Sequence, residues 1–499
     1  MILTKKFFVA KVSYNLDNIQ PMRRTKIIST FGPSIADPEI LKQVCDYADV
    51  IRINLAHGTW DENEEYNHKR NIQLIQDTAK KLKKPAAILV DLKGNKIRIG
   101  DFKNHMIELE HASDINVIFT KEKKTDNHEI LIDADYCFPQ IEAGDKILLD
   151  DGLIQLAVKS VNQKNMALKC LVEKGGLLRS KKGFEVENKI IHRSGLGEED
   201  KKDIKRLAEL DIDWIALSFV NEASDVTQAR EVLTQIGSRI NLVAKIERLE
   251  ALNQLFWIIK ASDGVMVARG DLALESGPGE LTGLQKDIIK QTVKGKRIAI
   301  TATQMMESMI SNPTPTRAEM TDVSNAVLDG TDAVMLSAET AIGKYPVETV
   351  KAMHEVCMGA ETYQESITKN EEYKFSEINN IDEAIAISSM SIARNMEIKA
   401  IVALTESGST ALMLSRYRTN IPIYAFTRNE DTQRRVSLYR GVISYQYPFL
   451  VDSMADVIED VRSELVGSSI LKSGDLIVLT SGSPLRVSGG TNSLRLINI

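Results

Sequence analysis

Residues 297–340 read RIAITATQMMESMISNPTPTRAEMTDVSNAVLDGTDAVMLSAET, in which two apolar, β-branched runs flank a helix-like segment. The runs cover 297–306 and 332–340, and the segment between them covers 316–330. Thr316 can cap that helix while Glu319 reaches back to it, and Pro313 and Pro315 keep the preceding residues out of it. The order strand, helix, strand predicts parallel strands covered by helices.

The same alternation recurs on the N-terminal side of this stretch. Six more strand-like runs are TKIISTFG (25–32), DVIRINLAHG (49–58), AAILVDLKG (86–94), WIALSFV (214–220), NLVAKIE (241–247) and DGVMVARGDL (263–272). Helix-like segments separate them, as in 37–48 and 198–210. Eight such units predict a closed (β/α)8 TIM barrel formed by 22–94 and 194–345.

The rest of the chain follows other patterns. Residues 95–193 contain short strands and turns, which predict a small β-barrel domain inserted after the third strand. An insertion there emerges at the C-terminal face of the barrel, so it can act as a lid. Residues 346–499 alternate again and predict a C-terminal α/β regulatory domain, while 1–21 form an N-terminal segment with no evident role.

Composition narrows the class of protein. The 499 residues carry a net charge of −6 and are 43% hydrophobic, with a pI near 5.8. That balance argues against a general binder of nucleic acid or membrane surfaces. The N-terminus contains no signal-peptide pattern, and no apolar run is long enough to span a membrane. Four widely spaced cysteines fit a reducing compartment, so we expect a cytoplasmic protein.

Polar residues cluster where the predicted strands end. Residues two apart on a strand face the same way. The pairs that this rule places together are Arg52 and Asn54, Asp91 and Lys93, Lys245 and Glu247, Thr301 and Thr303, and Ser337 and Glu339, with Asp271 following Gly270. Barrel mouths are often polar, but such residues after six strands indicate an active site.

Two of these residues suit a divalent metal ion. Glu247 and Asp271 offer hard oxygen ligands from neighbouring strands, and Mg²⁺ takes one or two carboxylates and keeps water and substrate as its other ligands. Lys245 and Arg52 add positive charge beside that ion. The set favours phosphoryl transfer, in which electrostatic stabilisation dominates. The alternative is a Lys245–Glu247 salt bridge with no catalytic role.

The glycine in VARGDLALE has a possible role of its own. Gly270 precedes Asp271 where a helix begins, and glycine lets backbone N–H groups approach an anion. A substrate carboxylate could bind there, with the Thr303 hydroxyl nearby. A plain turn explains the glycine equally well.

The sequence resembles the pyruvate kinase family over nearly its whole length. The matching stretches are RRTKIISTFGPS (23–34), IRINLAHG (51–58), DLKGNKIR (91–98), VAKIE (243–247), MVARGDLALE (266–275), ITATQMMESMISNPTPTRAE (300–319) and DGTDAVMLSAETA (329–341). The resemblance implies transfer of phosphate from phosphoenolpyruvate to ADP, giving pyruvate and ATP in glycolysis. It also implies a Mg²⁺ or Mn²⁺ requirement and a homotetramer.

The resemblance also assigns roles to residues. Lys245 would neutralise the transferring phosphoryl group, which Arg52 would contact, and Glu247 and Asp271 would bind the metal. The carboxylate pocket would consist of Ala268, Arg269, Gly270, Asp271 and Thr303. The nucleotide would be held by Asn54, His57, Arg98 and Lys182. Ser337 and Glu339 would belong to the water network that protonates the enolate, with Thr303 positioning the donor.

One departure from the family concerns K⁺. Many pyruvate kinases bind this ion through Asn, Ser, Asp and Thr positions. Here Asn54 and Asp91 remain, the serine position is Ala56 and the threonine position is Leu92. Lys96 stands where a glutamate is common, and its ammonium would repel K⁺ by several kcal/mol at about 4 Å. We expect K⁺ independence, with Lys96 supplying the charge. Otherwise Lys96 merely faces ADP from a solvated loop.

A second departure concerns regulation. The loop TESGSTALMLSRYR (405–418) begins a helix, where N–H groups and hydroxyls can hold a phosphate. The expected effector residues are Thr405, Ser407, Gly408, Ser409, Thr410 and Arg486. Glu406 disfavours a doubly phosphorylated sugar, so we expect a sugar monophosphate or AMP as activator. An ordinary capped helix without a ligand is the alternative.

Two other functions compete with a pyruvate kinase activity. A different Mg²⁺-dependent barrel enzyme acting on phosphoenolpyruvate or pyruvate, such as an aldolase, would not need a lid carrying Arg98 and Lys182. A metabolite sensor built on an inactive kinase would have lost site residues, yet Lys245, Glu247 and Asp271 are all present.

Overall fold

A computed structural model describes most of the chain. The described residues are 22–64, 66–82, 84–94, 97–122, 124–125, 129–150, 152–187, 196–277, 279–368, 378, 380–447, 453–482 and 490–499. The segment 1–21 and two residues with predicted roles, Lys96 and Arg486, lie outside the described residues. No helix in the described ranges is both long and apolar enough to cross a membrane.

The described chain begins with three strands and two helices of the barrel. They are β1 (Lys26–Thr30), α1 (Pro38–Tyr47), β2 (Val50–Asn54), α2 (His68–Leu82) and β3 (Ala87–Asp91). Asp37 caps α1, since its carboxylate accepts from the N–H of Glu39 at 2.9 Å.

The inserted domain follows β3 and is built from strands. They are β4 (Asp101–Phe102), β5 (Met106–Leu109), β6 (Asp114–Phe119), β7 (Lys124–Thr125), β8 (Glu129–Ile132), β9 (Lys146–Leu149), β10 (Ile154–Asn162), β11 (Ala167–Lys174), β12 (Gly176–Arg179) and β13 (Phe184–Val186). Its main sheet has the order β13-β9-β10-β11-β6-β8, and β12 pairs with β5 and β4 with β7. The domain has its own apolar core, which includes Phe119, Ile147 and Phe184.

The chain then completes the barrel. The elements are α3 (Glu198–Ala208), β14 (Trp214–Leu217), α4 (Ala223–Gln235), β15 (Asn241–Ile246), α5 (Glu250–Asn253), α6 (Leu255–Ala261), β16 (Gly264–Ala268), α7 (Arg269–Ser276), α8 (Leu281–Lys294), β17 (Ile298–Ala302), α9 (Arg317–Asp329), β18 (Ala333–Leu336), α10 (Ala338–Ala341) and α11 (Pro346–Thr368). Eight parallel strands close in the order β1-β18-β17-β16-β15-β14-β3-β2, which confirms the predicted TIM barrel. The capping box of α9 is present, since Thr316 Oγ1 accepts from Glu319 N at 3.2 Å.

Helix α11 belongs to the barrel. The sequence pattern assigned residues from 346 onward to the C-terminal domain, but Val350, Met353 and Cys357 are buried in the apolar layer between the barrel strands and their helices. Helix α11 thus packs with the barrel and ends at Thr368.

In the residues that the structure describes, the C-terminal domain is a five-stranded sheet with four α-helices. Its elements are α12 (Ile381–Asn395), β19 (Ile398–Leu404), α13 (Ser409–Arg416), β20 (Ile423–Thr427), α14 (Glu430–Arg435), β21 (Val442–Gln446), α15 (Met454–Gly467), β22 (Leu476–Gly482) and β23 (Thr491–Asn498). The order is β21-β20-β19-β22-β23, parallel except for the last pair. The sequence pattern indicated the four parallel strands and missed the antiparallel β23.

This domain packs against the N-terminal face of the barrel. Arg416, at the end of α13, makes a buried two-pronged salt bridge with Asp332, which precedes β18, at 2.7 and 2.8 Å. Apolar residues of the barrel interior, such as Trp214, belong to the same buried cluster as Tyr439 of the C-terminal domain. The opposite, C-terminal face of the barrel is thereby left to the inserted domain.

Candidate active site

Lys245 lies at the centre of the barrel mouth. It points inward near the end of β15, and its side chain is 11% exposed. Its ammonium contacts Glu247 Oε1 at 2.9 Å and Asp91 Oδ1 at 3.2 Å, and it donates to Ser218 Oγ at 2.8 Å. Burial would lower the pKa of Lys245, but the Asp91 and Glu247 carboxylates outweigh burial and raise this pKa. The amine is therefore held as a cation.

Arg52 is the second cation of the mouth. Its guanidinium donates to Asp91 Oδ2 from Nε at 3.0 Å and from Nη2 at 2.5 Å, and to Thr30 Oγ1 at 3.0 Å. Burial would raise the pKa of Asp91, yet Lys245 and Arg52 together hold it below the ordinary value. Asp91 is thus an ionised bridge that fixes both cations.

Glu247 and Asp271 fit the requirements of a hard divalent ion. Glu247 is 2% exposed, and its Oε2 accepts from Phe219 N at 2.5 Å. Burial raises the pKa of Glu247, and the nearby Asp271 carboxylate adds to the rise against Lys245. Two cations therefore face three carboxylates, and that excess of negative charge suits Mg²⁺.

Protein side chains alone do not form a complete metal-binding site among the described residues. Among the described residues no group of three or more His, Cys, Asp and Glu side chains is arranged to hold a metal. Mg²⁺ is commonly bound through one or two carboxylates, with water and substrate oxygens as its remaining ligands. Glu247 and Asp271 agree with that mode of binding.

Asp271 lies in the first turn of helix α7, and Thr303 lies beside that turn. Gly270 N donates to Thr303 Oγ1 at 2.8 Å, and a Cβ added at Gly270 would meet only Thr303 atoms at 3.6 and 3.8 Å. The fold therefore does not require glycine there, and close approach of a ligand is a better reason for it. Thr303 has φ +68°, a strained value for a β-branched residue, which is typical of functional sites.

The Arg269 side chain does not face the pocket. Its guanidinium donates to Asp322 at 2.6 and 2.8 Å and to Thr303 O at 2.6 Å. Arg269 therefore contributes its backbone to the pocket, as the buried Ala268 does, and its side chain anchors the start of α7.

One predicted pair does not share a face. Thr301 Oγ1 donates to Thr331 Oγ1 at 3.0 Å, and Thr301 is fully buried outside the barrel interior. The prediction that Thr301 and Thr303 face the mouth together is wrong for Thr301, because the left-handed backbone at Thr303 breaks the two-residue alternation.

Ser337 and Glu339 lie at the end of β18. Glu339 is 2% exposed and its carboxylate accepts from Ser337 N at 2.6 Å and from Met306 N at 3.2 Å. Glu339 therefore joins the loops after β17 and β18 and fixes the backbone of Ser337.

The predicted nucleotide residues lie on both sides of the cleft. Asn54 Oδ1 accepts from Ala56 N at 3.0 Å and so shapes the turn that carries His57. Partial burial and the charges of Arg52 and Arg98 lower the pKa of His57. Arg98 Nη1 donates to Lys181 O of the lid at 3.0 Å. Lys182 contacts Asp150 of the lid at 2.7 Å.

Ser218 and Thr30 are site residues that the sequence reasoning missed. Ser218 Oγ accepts from Lys245 and lies 3.2 Å from Asp91 Oδ1, and Thr30 supports Arg52. Both follow the rule that located the others, since they continue the inward alternation of Ala216 and Ile28 at the ends of β14 and β1. The signal was present in the sequence.

Leu92 does not remove a K⁺ ligand in the expected way. Its side chain is 2% exposed and packs in the apolar layer outside the barrel, and its carbonyl accepts from Ser218 Oγ at 2.9 Å. A threonine hydroxyl at this position would face away from the mouth. Of the two positions proposed to have lost a K⁺ ligand, only Ala56 still supports the proposal.

The predicted effector loop precedes α13 in the C-terminal domain. Gly408 has φ +84° and donates to Thr405 Oγ1 at 2.9 Å, while Ser407 Oγ donates to Ser409 Oγ at 3.2 Å. Thr410 Oγ1 lies 2.5 Å from Thr491 Oγ1 of β23.

Glu406, in the predicted effector loop, is paired with neighbouring side chains. Its carboxylate contacts Arg428 Nε at 2.8 Å and Asn429 Nδ2 at 3.1 Å. The negative charge is thus compensated and gives weaker support to selection against a doubly phosphorylated sugar.

Comparison with known proteins links this geometry to one family. Residues 22–350 match the family model for the pyruvate kinase barrel domain, and 383–497 match that for the pyruvate kinase alpha/beta domain.

Whole-chain relatives agree with the domain matches. A pyruvate kinase of Buchnera aphidicola is 42% identical over 488 residues, covering 96% of this chain and 99% of its own. Pyruvate kinase II of Salmonella typhimurium is 41% identical over 484 residues, with 96% and 99% covered. The crystal structure of a pyruvate kinase from Cryptosporidium parvum superposes with a TM-score of 0.85 at 31% identity, covering 95% of this chain and 96% of its own.

Proposed function

This chain belongs to the pyruvate kinase family and is a phosphotransferase, and we propose that it moves the phosphoryl group of phosphoenolpyruvate to ADP at the Lys245 site. The observation that carries this proposal is the placement of Lys245 between Asp91, Glu247 and Ser218. A buried cation held in a fixed position stabilises developing negative charge without reorganising during the reaction.

The substrate's two anionic ends have separate binding groups. The first turn of α7 holds the carboxylate through its remaining N–H groups, and Thr303 fixes that turn by accepting from Gly270 N at 2.8 Å. Arg52 and Lys245 face the phosphoryl group. Glu247 and Asp271 would hold Mg²⁺ or Mn²⁺, which would supply further positive charge for phosphoryl transfer.

Transfer leaves the enolate of pyruvate, and a proton must then reach its methylene carbon. Thr303 and Ser337 position the water that delivers this proton. Glu339 accepts from Ser337 N and keeps the loop after β18 in place, so its role is indirect.

ADP binds between the barrel and the lid. His57 on the barrel and Arg98 on the lid are close enough for their charges to interact, and Lys182 lies near the returning end of the lid. The three groups face an anion whose phosphates must approach Lys245.

A coupled assay tests this function. With phosphoenolpyruvate, ADP and Mg²⁺ the protein should produce pyruvate and ATP, and chelation of the metal should abolish the activity. Activity of an aldolase type, or binding of both metabolites without turnover, would contradict the proposal. Removing residues 101–187 should abolish ADP use, which separates a kinase from a barrel enzyme that needs no lid.

We also propose that the enzyme works without K⁺. The support is Ala56 in the serine position and the charge of Lys96 in the sequence. Full activity in K⁺-free Tris buffer is expected, and complete dependence on added K⁺ would refute it. Because Leu92 faces away from the mouth, Ala56→Ser with Lys96→Glu is the variant that should gain a K⁺ response, with Lys96→Met as the control.

A phosphorylated activator binding to the C-terminal domain is a further proposal. The loop before α13 lies at the point where the sheet order reverses, between β19 and β22, which is where such sheets bind ligands. Ser481 Oγ is buried at the end of β22 and has no hydrogen-bond partner among the described residues. A sugar monophosphate or AMP should lower the KM for phosphoenolpyruvate, and Ser407→Ala with Ser409→Ala should remove that effect.

We also propose, from the family resemblance alone, that the protein is a homotetramer and that it acts in glycolysis. Sedimentation at assay concentrations should give about four times the mass of one chain. A stable monomer with full activity would contradict it.

A further inference from the structure

The chain crosses between the barrel and the lid domain at two places, and one carboxylate contacts both. The outgoing crossing passes Gly94 after β3, and the returning crossing passes Gly197 before α3. Gly94 N donates to Asp200 Oδ1 at 3.2 Å, and Asp200 Oδ2 lies against Gly197, where an added Cβ would be 3.3 Å from it. Asp200 is 6% exposed and lies in the first turn of α3, so it is a fixed part of the barrel.

Gly94 is also fixed on its other side. Its φ is +67°, and an added Cβ would lie 2.5 Å from Ser218 Cβ and 2.9 Å from Phe219 Cδ2. Ser218 in turn accepts the hydrogen bond from Lys245. The outgoing crossing therefore lies between Asp200 on one side and Ser218, which contacts Lys245, on the other.

The next turn of α3 contacts the loop that carries His57, on the other side of the proposed nucleotide cleft. Asp203 is 1% exposed, and its Oδ1 accepts from Trp60 Nε1 at 2.8 Å. Trp60 belongs to the loop after β2 that carries His57. The start of α3 thus secures the lid crossings through Asp200 and the His57 loop through Asp203.

We propose that Asp200 is a positioning residue for the lid, whose carboxylate holds both crossings so that Arg98 and Lys182 face His57 and Lys245. This inference rests on the proposed function and refines its nucleotide site. A carboxylate can accept from both glycine N–H groups with its two oxygens, whereas an amide offers one accepting oxygen and a methyl group offers none. Asp200 touches no substrate, so its effect passes through the lid.

Two variants and a control test the proposal. In Asp200→Ala the KM for ADP should rise about tenfold, as for loss of hydrogen bonds to a charged group, while the KM for phosphoenolpyruvate stays within about twofold. Asp200→Asn should give an intermediate rise. Glu199→Gln is the matched control, since Glu199 lies in the same turn but is exposed and pairs with Lys202 at 3.3 Å.

A second readout needs no turnover. In both Asp200 variants, amide hydrogen exchange in peptides covering 92–97 and 196–200 should be faster than in the wild type and in Glu199→Gln. If the wild type lacked kinase activity while this exchange still rose, the proposed function would fail and the role of Asp200 in holding the crossings would stand.

Other results would overturn the inference. The inference is wrong if amide hydrogen exchange at both crossings is unchanged in Asp200→Asn. It is also wrong if the KM for ADP and the KM for phosphoenolpyruvate rise equally in an active Asp200 variant. If Asp200→Ala does not fold, Asp200→Asn decides alone, because it keeps the size of the side chain and one accepting oxygen.

Discussion

At the level of single residues, the main feature of the site is the balance between its positively and negatively charged side chains. Lys245 and Arg52 pair with Asp91 and Glu247, and Asp271 lies near Glu247, so among these described residues negative charge exceeds positive charge. Substrate phosphate alone would add to that charge. A divalent ion reverses the balance, which explains why metal and substrate should bind together.

Gly270 offers a test of the carboxylate pocket. In Gly270→Ala the new methyl group meets only ordinary contacts with Thr303, so the melting temperature should change little. The methyl group would stand where the substrate approaches, and the KM for phosphoenolpyruvate should rise about tenfold. Steady-state kinetics with Gly283→Ala as a control, at an open position of α8, would show whether the effect is specific.

His68 predicts a pH effect on stability. It is fully buried, neither ring nitrogen has a hydrogen-bond partner among the described residues, and burial lowers its pKa to about 4. The unfolded chain binds this proton below about pH 6.5, so stability should fall by up to about 3 kcal/mol as the pH drops from 6.5 to 4.

Denaturant unfolding at several pH values measures that effect. His68→Leu should lose stability less steeply in acid than the wild type, whereas His111→Gln, at an exposed position, should match the wild type. Equal acid sensitivity of His68→Leu and wild type would contradict the prediction.

At the level of elements, the sequence predicted what depends on local chemistry. The capping box of α9 and the inward positions of Arg52, Asp91 and Lys245 follow from residue type and strand alternation. The position of Thr301 did not follow, because the backbone at Thr303 is left-handed and no residue type signals that. Leu92 obeys the alternation, since Ile88, Val90 and Leu92 all pack in the layer outside the barrel, so its outward direction could have been predicted from the sequence.

The anchoring of α7 gives a prediction for one element. Asp322 on α9 binds the Arg269 guanidinium, which holds the first turn of α7 and its N–H groups. Asp322→Ala should destabilise the protein by about 1–2 kcal/mol and raise the KM for phosphoenolpyruvate. Asp287→Ala on α8, where the carboxylate accepts from Gln291 at 2.7 Å on the surface, should do neither.

At the level of the whole molecule, the two faces of the barrel have separate tasks. The C-terminal face holds the proposed active site and meets the lid, and the N-terminal face binds the C-terminal domain. The sequence predicted the three domains but not the packing of α11 with the barrel, because α11 has the pattern of any amphipathic helix and only its packing on α9 and β1 shows where it belongs. How the domains dock depends on tertiary contacts such as Arg416 with Asp332, which are 84 positions apart.

That contact predicts separable stability and catalysis. Arg416→Gln leaves Asp332 buried without its main partner and should cost about 3 kcal/mol of stability at the domain interface. Activity without effector should remain, since the salt bridge lies on the opposite face from Lys245. Calorimetry should show the C-terminal domain unfolding earlier, while Lys69→Gln, which removes an exposed pair with Glu62, should leave the trace unchanged.

The most direct measurement is the turnover number of Lys245→Met in ATP synthesis from phosphoenolpyruvate and ADP, with circular dichroism at the assay temperature to confirm folding. A fixed cation that stabilises the migrating phosphoryl group predicts a fall of at least about 10³-fold, while Lys290→Met on the exposed face of α8 should keep wild-type activity. A folded Lys245→Met enzyme that retained turnover within about tenfold of the wild type would contradict this account.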